Sequence, residues 1–135
     1  MSNRPHVLIV DDDAQVLAFF VRTLTRENYM VTGTTSGLDA IDLALRSSPD
    51  IVILDLGMPD PDGFETLKRL RVKRPDLRIV VVSGFMQGAL LNAATLFGAV
   101  ATLEKPVKPR LLVQTIQDIL AIESPQNISH AANTN

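Results

Sequence analysis

Five side chains in this sequence have types and positions that suit chemistry together. Asp11 and Asp12 close the apolar run Val7-Leu8-Ile9-Val10, and Asp55 closes Ile51-Val52-Ile53-Leu54. Ser83 closes Val80-Val81-Val82, and Lys105 stands two residues after Leu103. Short continuous apolar runs suit parallel strands covered on both faces, so each polar residue falls at a strand's carboxyl end. Ligands of open α/β sheets gather beyond those ends. Carboxylates crowded at one rim repel by roughly 3 kcal/mol per pair, taking ~5 Å and an effective dielectric near 20. A fold keeps such a cluster only with positive charge beside it. A hard divalent cation suits an all-oxygen ligand set with no His or Cys in it, and Lys105 adds a permanent charge. Magnesium, a lysine and a hydroxyl are the parts that stabilise a phosphoryl group in transfer.

The elements that must position these residues alternate along the chain. After Asp11-Asp12-Asp13 come Val16, Phe19, Phe20, Val21 and Leu24 at helical spacing, with Asp13 or its neighbour as the cap. Tyr29–Thr32 reads as a short strand, and Ser36-x-x-Asp39 opens a helix with Leu38, Ile41 and Leu45 on one face. Met58-Pro59 and Asp62-Gly63 turn the chain after the central strand. Phe64, Leu67 and Leu70 mark the next helix, with Lys68, Arg69 and Arg71 on its wet side. Leu77–Val82 is a fourth strand, and Met86–Phe97 a helix closed by Gly98. Val100–Leu103 is a fifth strand, and Lys108-Pro109 starts a last helix through Leu112, Ile116, Ile119 and Leu120. Five strands alternating with five helices predict an α/β fold: a doubly wound five-stranded parallel sheet in the flavodoxin-like order 2-1-3-4-5.

Composition narrows the function. At 135 residues, 46% hydrophobic and 21% charged, the chain supports one large core and is not disordered. A net charge of −2 supplies no field for DNA or RNA. The lack of cysteine removes disulfide and thiolate chemistry and fits a reducing compartment. No apolar run approaches the ~20 residues of a membrane span. The run at 6–10, behind the single basic residue Arg4, is too short for a secretion signal. A cytoplasmic address is expected, and the sequon Asn127-Ile128-Ser129 is read as chance.

Four motifs carry a resemblance: Val7 through Asp13; Asp50 through Pro59 with Asp62-Gly63; Val80 through Gly84; and Gly98-Ala99 with Leu103, Lys105 and Pro106. Together they resemble the CheY-like receiver domain of two-component response regulators, over residues 5–122, with a flexible tail expected over 123–135. The resemblance implies that Asp55 accepts a phosphoryl group from a phosphohistidine on a sensor histidine kinase or phosphotransfer protein. It implies Mg²⁺ held by Asp12 directly, by Asp11 largely through water, by Asp55, and by the Gly57 carbonyl. Ser83 then hydrogen-bonds a phosphoryl oxygen and Lys105 ion-pairs with it, beside a Lys105-Pro106 bond that is cis in the family. Such a domain catalyses its own phosphorylation and dephosphorylation and is otherwise no enzyme. It is expected to act through a separate protein or as one module of a longer chain.

Some positions depart from the family or have plainer roles. Thr102 stands where the family usually carries the switching Tyr or Phe. Gly57 and Phe85 occupy the positions that govern access of water to the acyl phosphate. Asp13 reads as a cap rather than a ligand, Asp60 and Asp62 as turn formers, and His6 as structural. Ser83 and Lys105, each taken alone, are ordinary strand-end residues. From Ser83 to Leu103 there is no charged residue. The surface of residues 86–103 is therefore expected to dock a downstream target protein or a second copy. Two other functions compete. An aspartate-nucleophile phosphohydrolase wants a second Asp two residues after the nucleophile, where Gly57 stands, and a cap domain. A phosphorylation-independent binding module of the same fold is suggested by Thr102.

Overall fold

The apolar runs become strands covered from both sides. β1 (His6–Val10), β2 (Met30–Thr34), β3 (Ile51–Asp55), β4 (Ile79–Ser83) and β5 (Ala101–Glu104) form one parallel sheet, ordered β2-β1-β3-β4-β5 as predicted. The crossovers hold α1 (Ala14–Arg26), α2 (Gly37–Ser47), α3 (Gly63–Lys73) and α4 (Gly88–Leu96), and α5 (Pro109–Ala121) follows β5. The structure, a computed structural model, describes residues 4–58, 63–84 and 88–122. The expectations for Pro59, Asp60, Asp62, Phe85, Met86 and the segment 123–135 fall outside these residues.

Alternation along the strands sorts the core into two layers. Leu8, Val10, Val52, Leu54, Ile79 and Val81 pack with Ala40, Ile41 and Ala44 of α2 and Leu67 and Leu70 of α3. Val7, Ile9, Ile51, Ile53, Val80 and Val82 pack with Phe20 and Leu24 of α1 and Leu112, Ile116 and Ile119 of α5. Each such Val, Leu, Ile or Phe side chain contributes about 2 kcal/mol by leaving water. A polar group inside these strands would forfeit that and lack a partner. In β3 and β4 the one polar residue, Asp55 or Ser83, accordingly comes last, and in β1 Asp11 follows the strand.

The helix ends follow their sequence signals. Asp13 caps α1, its carboxylate accepting the N–H of Gln15 at 2.9 Å and of Val16 at 3.3 Å. Ser36 caps α2 by accepting the Asp39 N–H at 3.2 Å, while the Ser36 N–H goes to the Thr34 hydroxyl at 3.1 Å. Gly98, at φ +91°, closes α4 in the left-handed region as expected. His6 is structural, bonded through its N–H to Asp50 at 2.7 Å and through Nε2 to the Thr32 hydroxyl at 2.8 Å.

Four readings are corrected. Leu38 and Leu45 of α2 are exposed, and the buried stripe is Gly37, Ala40, Ile41 and Ala44. That set also has i, i+3, i+4, i+7 spacing, and its small members let α2 lie close to the sheet. Tyr29 lies in the turn that closes α1 and not in β2, donating its N–H to the Leu24 carbonyl at 3.2 Å, after Asn28 at φ 69°. Leu77 closes a turn on the Arg74 carbonyl at 3.1 Å, so β4 starts two residues later. Arg71 is not a wet-side residue: Nη1 donates to the carbonyls of Pro75 and Leu77 at 2.8 and 2.7 Å, and Nη2 to Gly98 at 2.9 Å. Burial lowers the pKa of this guanidinium, partly offset by Asp76.

Candidate functional site

Strand register decides which rim residues meet. Val10 pairs with Leu54, so Asp11 and Asp55, one step on, occupy the same rung of adjacent strands. Neighbouring strands lie ~4.8 Å apart, which brings the two carboxylates together. Asp55 pairs with Val82, which puts Ser83 one rung further on, opposite Glu104. The Lys105 N–H then donates to the Ser83 carbonyl at 2.9 Å, fixing the root of the lysine beside β4. From there only a long stem reaches back across the end of β4.

Both buried acids are tethered alike. Asp11 Oδ1 accepts the N–H of Asp13, and Asp55 Oδ1 the N–H of Gly57, each two residues on and each at 2.9 Å. The Oδ2 atoms are left for Lys105, whose Nζ lies 2.7 Å from that of Asp11 and 3.4 Å from that of Asp55. Asp11 is 1% exposed and Asp55 4%, whereas Asp12 is open to solvent at the mouth. Burial opposes the charge on Lys105. The hydrogen bond and charge of Asp11, joined by those of Asp55, outweigh it and raise the lysine's pKa above 10.5. The pKa of Asp12 is also raised, first by partial desolvation and then by the charge of Asp55 and a hydrogen bond with it.

These residues fit a hard cation. One oxygen each from Asp11, Asp12 and Asp55 lies within 4.8 Å of the others. Ligand oxygens about 2.1 Å from Mg²⁺ in octahedral geometry are about 3–4 Å apart, so little closure is required. Asp11 Oδ2 is buried and, apart from its ion pair with Lys105, makes no hydrogen bond. The donor set is all oxygen, and partial desolvation, followed by the neighbouring Asp55 charge, holds the Asp12 carboxyl above its usual range.

The sequence's candidates therefore converge: Asp11, Asp12, Asp55 and Lys105 share one site, and Ser83, 2% exposed, lies at the end of β4 beside it. Gly57 is in the site through its N–H. The Lys105-Pro106 bond is cis. Thr102 is half-buried on β5, paired with Val81. Sequence reasoning gave Gly63 only a turn. A Cβ there would run into the carbonyl oxygen of Asp55 and the Cα of Leu56, so α3 starts against the backbone of Asp55. A glycine opening a helix was the available signal. Arg71 gave none, since its sequence neighbourhood is that of a solvated helix face.

Comparison with known proteins bears on this arrangement. The family model described as Response regulator receiver domain matches residues 7–117. The transcriptional regulatory protein GlrR of Escherichia coli is 32% identical over 126 residues, 93% of this chain but 28% of the relative. Sporulation initiation phosphotransferase F of Bacillus subtilis is 26% identical over 118 residues, covering 87% of this chain and 95% of the relative. Among solved structures, a CheY-like receiver domain protein from Methanospirillum hungatei superposes with a TM-score of 0.84 at 27% identity. It covers 88% of this chain and 95% of that one.

Proposed function

The chain belongs to the response regulator receiver domains of two-component systems, and we propose that it is a phosphoacceptor switched at Asp55 in a Mg²⁺-dependent reaction. The observation that carries this reading is one cluster: three carboxylates within 4.8 Å of each other, with the Lys105 ammonium on two of them. In the proposed step a carboxylate oxygen of Asp55 forms the O–P bond as the donor's P–N bond breaks. The imidazole of a kinase or phosphotransfer protein leaves and takes up a proton. Gly57 N–H holds Oδ1 and so aims Oδ2. Asp11, Asp12, Asp55 and the Gly57 carbonyl would hold Mg²⁺, which supplies charge neutralisation at the phosphoryl oxygens when bound. Lys105 and the Ser83 hydroxyl bind those oxygens. The same groups serve the domain's own dephosphorylation by water.

The product adds about −1.5 to −2 charge at the rim. That charge biases the domain between two conformations, and the surface of residues 86–103 reads the outcome. Leu96, Phe97 and Val100 are exposed there, 87%, 41% and 51%, and supply the apolar contacts proposed for a downstream protein or a second copy. We take the domain as residues 5–122, acting in the cytoplasm without nucleic acid or membrane. Among the described residues no helix is long and apolar enough to cross a membrane.

Intact-mass spectrometry after acetyl phosphate and Mg²⁺ tests the reading on wild type and Asp55→Asn. One phosphoryl gained by wild type alone is expected. A gain in both, or in neither, overturns it. Thr102 favours a second reading, a binding module without phosphoryl control. Equal partner affinity with and without beryllofluoride would select that one.

A further inference from the structure

α3 connects Asp55 to the start of the exposed apolar surface. Its first residue, Gly63, lies so close to the Asp55 carbonyl and Leu56 that no Cβ fits between them. The next residue, Phe64, sets its ring edge-on to Phe97, with centroids 5.2 Å apart at 86°. Two helical turns later, on the same face, Arg71 Nη2 donates to the Gly98 carbonyl at 2.9 Å, and Nε reaches that of Phe97 at 3.4 Å. Nη1 is anchored on Pro75 and Leu77 at 2.8 and 2.7 Å, so this guanidinium cannot swing freely. The turn so gripped ends α4, with the Gly98 N–H on Thr95 at 2.9 Å, and leads into β5, with the Val100 N–H on Ile79 at 2.8 Å.

We propose that α3 carries the state of Asp55 to the Leu96–Val100 surface, with Phe64 and Arg71 as its two couplings to the Phe97–Gly98 turn. This rests on the reading of Asp55 as phosphoacceptor. A new dianion on the Asp55 side chain shifts the backbone it is attached to. Gly63 has no free space against that backbone, so the shift passes into α3. Packed interiors transmit such displacements rather than absorb them. Phe64 and Arg71 hand the motion to the two residues that set where α4 stops. Thr102, lacking a ring to rotate, is not required for this path.

Backbone amide chemical shifts on adding Mg²⁺ and beryllofluoride test it. In wild type, amides of the site (Gly57, Ser83) and of Leu96–Val100 are both expected to move. Phe64→Ala should keep the site response and lose at least half of the Leu96–Val100 response, while Phe64→Tyr restores it. Phe97→Leu, at a partly exposed position with little risk to folding, should do as Phe64→Ala does. Thr102→Val should leave the propagation unchanged. An undiminished response in Phe64→Ala and Phe97→Leu, or its loss in Thr102→Val, overturns the relay while leaving Asp55 in place. No site response in wild type overturns the phosphoacceptor reading, and the relay with it.

Discussion

Lys105 Nζ lies 2.7 Å from Asp11 Oδ2 and 3.4 Å from Asp55 Oδ2, so the ammonium is held closer to the β1 acid than to the proposed phosphoacceptor. A cation arriving at Asp11 meets the lysine as a competitor, and two unit charges ~4 Å apart interact by about 4 kcal/mol at an effective dielectric near 20. Lys105→Met is expected to tighten Mg²⁺ binding while slowing phosphoryl uptake from acetyl phosphate by about ten-fold or more. Calorimetry and intact mass read the two separately. A loss of both would mean that the lysine only supports the fold.

The same pair sets an alkaline limit on stability. The folded-state pKa of Lys105 is raised, because Asp11 and Asp55 outweigh the burial that opposes its charge. The contribution of this proton is fully present below the unfolded value near 10.4 and is lost as pH rises through the higher folded value. Urea midpoints of wild type should therefore fall more steeply above about pH 10.4 than those of Lys105→Met. Parallel curves would mean that the ion pair adds nothing to folding.

Gly63→Ala should destabilise the fold by about 2–3 kcal/mol, since the new methyl meets backbone atoms of Asp55 and Leu56 that cannot turn aside. Gly57→Ala is the control. Its Cβ would meet the Asp55 carboxylate, with Oδ1 nearest at 3.3 Å, and no backbone atom, and should cost about 1 kcal/mol or less. Chemical denaturation of the two variants decides the matter, and equal losses would refute the close approach.

Neighbouring acids should separate by role. Asp13→Ala removes the α1 cap and should cost about 1 kcal/mol with Mg²⁺ affinity nearly unchanged. Asp12→Ala relieves repulsion from Asp55. It should leave the metal-free protein no less stable and weaken Mg²⁺ binding by about ten-fold or more, as loss of even a ligand's supporting partner does. Titration calorimetry with a thermal melt distinguishes them, and interchanged outcomes would reverse the assignment.

What was legible in the sequence was what a single local rule governs. Val7–Val10 and Ile51–Leu54 could only be strands covered on both sides, and their following acids had to share a rim. Lys105 was legible because Pro106 and the preceding apolar run fixed where β5 ends. The inner face of α2 was not, because Leu38 and Leu45 outweigh Ala40 and Ala44 in hydrophobicity while the alanines win on proximity. Arg71 was hidden for another reason. Its partners are backbone carbonyls up to 27 residues away, and no side-chain pattern announces those. Gly63 showed itself as a turn, but its crowding comes from a strand end that only the folded chain brings near.

The segment between Ser83 and Leu103 lacks any charge, yet Leu96, Phe97 and Val100 stand open to water. A protein seated on them finds no counter-ion within this segment, so added salt does little to dislodge it. Apolar burial instead carries a negative heat capacity, which makes the grip vary with temperature. In the proposed function, loading at the acidic rim answers to ionic strength, and the message leaves through a surface tuned by warmth.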